Sequence, residues 1–179
     1  MVKLETKIVV KPFRWEDWYA MWEVQAHHLA EGGIRIDLSA QGPPDFDLVY
    51  DETNPNYPEM DMERIDEAYL KGRGNFWLAW VDGQPVGFVG AQDMGDFVEL
   101  RRMYVWDRYR RLGIGYLLVQ ALIEHCRQQQ VSAVRLWTES DGPGRFLYIK
   151  HGFRQVALEA GELCHFRALN GEIRMRLDL

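Results

Sequence analysis

The sequence predicts a single α/β (α+β) domain spanning residues 1–179, on three observations. A turn signal, Asp82-Gly83, separates two strand-like runs, Phe76 to Val81 and Val86 to Val89, as in a hairpin. A third strand-like run, Phe97 to Val105, passes through a short basic turn into an amphipathic helix from Gly113 to Gln129. Beyond it a strand, a helix and two strand-like segments follow one another, the order expected where helices cover a sheet. A length of 179 residues suits one core, and no repeat, low-complexity tract or linker divides it.

The remaining elements follow from local pattern. Ile8 to Arg14 predicts a strand, and Trp15 to Ala30 a helix in which Trp15, Trp18 and Trp22 form a core stripe. Gly32-Gly33 ends that helix, and Pro43, Pro44, Pro55 and Pro58 keep the chain irregular until a short helix near Glu59 to Leu70. An irregular stretch as long as 32–58 is a candidate lid over a site. In the long helix, Ile114, Leu117, Leu118, Ala121 and Leu122 share one face, which predicts burial. A strand Ala133 to Thr138, a helix Pro143 to His151 and strands near Phe153 to Leu158 and Ile173 to Leu177 complete the chain.

Composition narrows the function. Hydrophobic residues make up 47%, which excludes a disordered chain, and 21 basic residues against 27 acidic ones give a net charge of −6. That sign is opposite to the footprint of phosphate-backbone recognition, so nucleic acid is not expected as a partner. Cys126 and Cys164 lack the spacing of a disulfide framework or zinc ribbon. The N-terminal residues build no hydrophobic signal and no run approaches the ~18 apolar residues of a membrane span. These features predict a cytoplasmic protein with no membrane contact and no metal.

The most informative window runs from Met103 to Gly115, where a strand end and a basic turn lead into a helix. Glycines at a helix start let backbone N–H groups approach an anion closely, and the helix adds about half a positive charge there. Arg110 and Arg111 add full charges. A dinucleotide fingerprint would need glycine where Leu118 stands, and a P-loop would need Gly-Lys-Ser/Thr, which is absent. The plainer alternative is that Gly113 and Gly115 only let the helix pack on the strand.

Arg110-x-x-Gly113-x-Gly115 after Met103-Tyr104-Val105, followed by Leu147-Tyr148-x-x-x-Gly152-Phe153, resembles the GNAT superfamily of acyl-CoA-dependent N-acetyltransferases. The resemblance covers residues 75–157 well and the first strand and helix loosely. It implies a mixed, centrally splayed β-sheet with helices on both faces, and acetyl-CoA as co-substrate. By the same resemblance the backbone of Met103, Tyr104 and Val105 would pair with the pantetheine arm as an added strand. Amides from Arg111, Leu112, Gly113, Ile114, Gly115 and Tyr116, with Arg110 beside them, would hold the pyrophosphate. Asp141 stands where the family often carries asparagine at the cofactor, and before Gly142-Pro143 it reads as a helix cap.

The resemblance implies that Tyr148 donates a proton or hydrogen bond to the leaving sulfur, and that Glu99 acts as the base, directly or through water. Glu99 could equally be an ion-paired strand residue beside Arg101 and Arg102. His27, His28 and His165 are reserve bases, whereas His151 reads as a helix-end residue and Cys126 has no matched base for covalent catalysis. Residues 31–70 hold eleven acids against Arg35 and Arg64, a net −9 that predicts attraction of a cationic small-molecule or peptide amine. A binding or sensing module that kept the cradle without turnover is the alternative, and a homodimer is left open.

Overall fold

The computed structural model describes residues 7–35, 38 and 60–179 of the chain. Its strands are β1 (Ile8–Pro12), β2 (Asn75–Val81), β3 (Gln84–Asp93), β4 (Val98–Val105), β5 (Ala133–Glu139), β6 (Arg154–Val156) and β7 (Glu172–Asp178). Its helices are α1 (Trp18–Glu31), α2 (Ile65–Ala68), α3 (Ile114–Gln128), α4 (Pro143–Lys150) and α5 (Phe166–Leu169). The strands form one mixed sheet in the order β1-β2-β3-β4-β5-β7-β6.

The first four strands are antiparallel neighbours, while β4 and β5 run parallel and pair only at Val98↔Val134 and Glu99↔Arg135. β5 then pairs antiparallel with β7 along its whole length. The cause of the short β4–β5 ladder is visible in β4: Phe88 faces Tyr104 and Gly90 faces Arg101, so β4 carries one residue more than β3 across that interval. Arg102, with φ 52, takes the left-handed turn of this bulge. A bulge bends its strand, and here it turns the second half of β4 away from β5.

Two cores cover the two faces. On one, α3 lays Ile114, Leu118, Leu122 and Cys126 against Val89, Ala91, Leu100 and Leu136, with Tyr148 and Phe153 closing the edge. On the other, Met21, Trp22 and Val24 of α1 and Ile65 and Tyr69 around α2 pack on Phe76, Leu78, Phe88 and Tyr104. Gly90 is required there, because a Cβ would lie 2.5 Å from the Tyr69 ring.

Several elements differ from the sequence pattern. Residues Trp15–Asp17 form a 3-10 turn ahead of α1, so the tryptophan stripe is graded: Trp22 is 3% exposed and Trp15 59%. The buried face of α3 is Ile114, Leu118, Val119, Leu122, Ile123 and Cys126, whereas Leu117 is exposed and Ala121 half-buried. Asp141 does not cap α4. The residue before a proline is pushed into extended backbone, so Gly142 (φ −70, ψ 157) takes the cap position before Pro143 and Asp141 falls one residue too early. The turn at Ala160–Glu162 and helix α5 had no sequence signal, and β6 is shorter than its apolar run. Most of the candidate lid at 32–58 lies outside the described residues.

The corrected face of α3 sets a stability test. Leu118→Ala removes a fully buried side chain and should cost about 2–5 kcal/mol. Leu117→Ala should cost less than about 1 kcal/mol. Urea-denaturation midpoints of the two variants check the assignment; equal losses would contradict it.

Candidate active site

Where β4 and β5 part, a cleft of 1190 Å³ opens through the sheet. Glu99 to Val105 of β4, Trp137 to Glu139 of β5, the turn and first residues of α3, and Gly144, Leu147 and Tyr148 of α4 line it. The bulge thus places the Met103-Tyr104-Val105 strand end on the cleft wall.

At one end the chain forms an anion cradle. Arg111 (φ 69) and Gly113 (φ 82) both adopt the left-handed conformation, and Gly113 is the N-cap of α3. Alternating hands aim successive N–H groups to the same side, as in an anion-binding nest. Ile114, Gly115 and Tyr116 occupy the first turn, where amides have no intrahelical acceptor. The Arg111, Leu112 and Gly113 amides likewise meet no carbonyl among the described residues. A Cβ on Gly115 would lie 3.1 Å from Met103 Cε and 3.3 Å from Leu147 Cδ2. Gly115 therefore does serve close packing, and Gly113 serves backbone shape, since a Cβ there would meet nothing within 4 Å.

Arg110 lines the cleft and is also tied to the chain around it. Its Nε donates to Val105 O at 2.8 Å and its Nη2 to Glu31 Oε2 at 2.6 Å, so the guanidinium staples the cradle to the end of β4 and to α1. Arg111 remains the full charge beside the amides. Asp141 is exposed and is not among the cleft-lining residues, and its cap assignment is withdrawn. Leu112 is also off the lining, which leaves it only its amide.

Glu31, the last residue of α1, joins this staple to β4 by accepting from Tyr104 Oη at 2.6 Å. Desolvation pushes the Glu31 carboxyl up, but the hydrogen bonds from Tyr104 and Arg110 and the Arg110 charge outweigh it and hold Glu31 below its ordinary value. Burial and the neighbouring Glu31 raise the Tyr104 phenol.

Tyr148 lines the cleft from α4, its ring edge-on to Phe153, and its hydroxyl meets no hydrogen-bond partner among the described residues. Burial raises its pKa, which keeps it a protonated donor. Glu99 also lines the cleft, but Arg174 Nη1 lies 2.9 Å from its Oε2. Arg174 is 3% exposed, pairs with Glu162 at 2.9 Å and stacks on Trp137 and Phe97. The ion pair thus comes from β7, not from the adjacent Arg101 or Arg102, and it neutralises a buried guanidinium while fixing the carboxylate.

Among the reserve bases, His28 alone lines the cleft, its ring 4.6 Å from Tyr104. Burial and Arg102 lower its pKa against the pull of Glu31, so it is neutral and able to accept a proton at neutral pH. His27 stacks on Trp106 at 3.5 Å, and His165 stacks on Trp137 and caps α5 by accepting from the Arg167 amide. Both are structural. Burial pushes the Cys126 thiol up to about 12, which removes it as a nucleophile.

Two of the acids expected to attract a cationic acceptor are engaged within the chain. Glu31 is engaged as above, and Asp61 accepts from Arg102 Nε at 3.0 Å and also from Tyr69. Asp37, Asp45, Asp47, Asp51, Glu52 and Glu59 lie outside the described residues. Arg101, Arg102 and Arg167 line the cleft together with Glu99, Glu139 and Glu172. Neither Arg167 nor Arg174 was found from sequence, because both lie past the last recognisable motif on elements that only the sheet order brings to the cleft.

The sequence model of the Acetyltransferase (GNAT) family matches residues 46–153, more than half of the chain. The chain belongs to this family. Within it, the protein named "Probable N-acetyltransferase camello" from Xenopus tropicalis is 38% identical over 104 residues, covering 55% of this chain and 48% of that protein. N-acetylaspartate synthetase from Danio rerio is 41% identical over 100 residues, 54% of this chain and 36% of that protein. The chain therefore matches about half or less of these curated relatives' length. A GNAT acetyltransferase from Staphylococcus aureus Mu50 superposes with a TM-score of 0.68 at 23% identity, covering 97% of this chain and 99% of that one. PaiA N-acetyltransferase from Thermoplasma acidophilum, solved in complex with coenzyme A, gives 0.62 at 17% identity with 97% and 99% covered. These two likenesses establish the GNAT fold.

The Glu31 staple predicts a pH dependence. A carboxyl lowered in the folded state stabilises it above the ordinary value of 4.5, and that contribution is lost as pH falls through the lowered value. Glu31→Gln should therefore be less stable than the parent at pH 7, and the gap should close on acidification below 4.5. Denaturation midpoints at several pH values check this; a gap that persists at low pH would assign the staple's strength to hydrogen bonds alone.

Proposed function

We propose that the protein transfers the acetyl group of acetyl-CoA to a primary amine by direct attack. The observation that carries this is the shared cleft: an open β4 edge, a cradle of unpaired amides and the Tyr148 donor all face one cavity. Family membership and the N-acetyltransferase names of its relatives support it.

The residues present fit the cofactor. The amides of residues 111–116 suit a pyrophosphate, and the β4 edge beyond Glu99 offers strand-type hydrogen bonds to an amide-containing arm. Acetyl-CoA supplies the thioester as acyl donor; the rest is done by this chain. The β4 edge would hold the pantetheine arm, with Tyr148 lining the same cleft. The Tyr148 hydroxyl, held protonated by burial, would donate a hydrogen bond to a departing thiolate.

An alkylamine is about 3 pKa units above neutral pH, ~4 kcal/mol of deprotonation to be assisted. Glu99, fixed by Arg174, takes that proton through water, and neutral His28 is the second acceptor on the same cleft.

Tyr148→Phe should lower kcat by about 10² or more while CoA affinity changes little, since only the hydroxyl is lost. Thiol release from acetyl-CoA across an amine panel, with calorimetry for CoA, measures both. CoA binding with no turnover on any amine would favour the sensing-module alternative; unchanged kcat where chemistry is rate-limiting would remove the leaving-group role.

A further inference from the structure

The cations that line the cleft fall into two groups. Arg102, Arg110 and Arg167 are each paired with a carboxylate of the chain, and Arg101 donates to Gln92. Arg111 and Lys150 line the same cleft, and the side chain of neither has an ion-pair or hydrogen-bond partner among the described residues. Arg111 stands in the turn whose amides suit a pyrophosphate. Lys150 is the last residue of α4 and belongs to none of the segments that build the cradle.

The fold brings Lys150 beside the cradle all the same. His151, the next residue, stacks its ring on Tyr116 at 4.2 Å, and Tyr116 is in the first turn of α3. One turn back along α4, Phe146 lines the cleft with 59% of its surface exposed and no ring contact among the described residues. Phe146 and Lys150 are thus an i, i+4 pair, a ring and a cation together on one helix face. The acids of the cleft do not answer this cation. Glu99 and Glu172 are held by Arg174 and Arg167, and Glu139 stands beside Gly142 at the opposite end of α4, about 10 Å along the helix axis from Lys150.

Resting on the acetyl-CoA reading of the cradle, we propose that Lys150 takes the phosphomonoester on the cofactor's ribose, with the adenine laid against Phe146, so that the cleft selects the 3′-phosphorylated form of CoA. Besides its pyrophosphate, CoA carries a 3′-phosphate on the same ribose, and near pH 7 a phosphomonoester holds about −1.5 to −2 charge. That charge lies one sugar ring from the pyrophosphate, so the cation that meets it must stand beside the cradle and not within it. Lys150 has that placement, whereas Arg110 is bound to Val105 O and Glu31. An ammonium on a flexible stem suits a phosphate approached from solvent, and an open aromatic face accepts a base by stacking. A lysine at a helix C-terminus also interacts favourably with the helix dipole, but that role alone would leave cofactor choice unchanged.

Calorimetry on the intact chain reads the proposal without turnover. CoA should bind at least ~5-fold tighter than dephospho-CoA at low salt, the upper range of an exposed charge pair, and the ratio should shrink as salt rises. Lys150→Gln should bring the two affinities to within about 2-fold by weakening CoA while dephospho-CoA holds, and Lys150→Arg should restore most of the difference. Arg111→Gln and Phe146→Ala should weaken both forms alike. Adenosine 3′,5′-bisphosphate should displace CoA better than adenosine 5′-monophosphate does, and inorganic phosphate at the same concentration should not. Equal affinities in the parent, a ratio unmoved in Lys150→Gln, a ratio lost equally in Arg111→Gln, or inorganic phosphate displacing CoA as well as the bisphosphate does overturns the proposal while leaving acetyl transfer intact. CoA bound with the expected ratio but with no turnover on any amine supports the subsite although the transfer reading has failed. Failure to bind either form overturns both.

Discussion

Everything at the site depends on the parting of β4 from β5 after Glu99. A parallel pair carried on to Val105 would satisfy the strand edge internally and leave no cleft. One extra residue in β4, accommodated by the left-handed Arg102, ends the pairing. The resulting edge is a set of backbone donors and acceptors open to a ligand, which elsewhere in a sheet would be a liability. Here it is protected by its position inside the cleft, which α3 and α4 help to line.

The bulge must itself be held. Arg102 is buried against Asp61, and Tyr69, bonded to the same carboxylate, packs its ring where Gly90 has no side chain. An ion pair of this kind is strongly destabilising to break, because one partner would be left as a lone buried charge. The segment around α2 is therefore a brace for the bulge more than a wall of the cleft. On the far side, Glu31 performs a comparable task for the cradle, linking α1, Tyr104 and Arg110.

What the sequence made legible was whatever backbone geometry writes into residue type. Gly113 is needed for its positive φ and Gly115 for its close approach, so both stand out in a linear reading. Asp82-Gly83 gives the hairpin for the same reason. Tyr148 was found through its spacing to Gly152-Phe153. Partner choice was not legible. Glu99 was weighed against Arg101 and Arg102 because they are neighbours in sequence, yet the sheet order brings Arg174 from β7 to it across β5. Asp141 failed for a local reason, the constraint Pro143 places on Gly142, and that constraint was readable in advance. Leu117 failed because an apolar heptad-like list does not fix which edge of the stripe faces the sheet.

The same sheet order explains how charge is sorted in a chain of net −6. Net charge and linear blocks of acid suggested an acidic acceptor side, but a carboxylate matters to a ligand only if no internal cation has claimed it. Glu31 and Asp61 are claimed by Arg110 and Arg102, and Glu99 by Arg174. Arg101 and Arg102 of β4 and Arg167 of α5 reach the cleft beside Glu99. Guanidinium forks that hold carboxylates of the chain are fixed in place by them, as Arg102 is by Asp61 and Arg167 by Glu172. The acids of these pairs therefore act first within the fold, by orienting arginines that line the cleft.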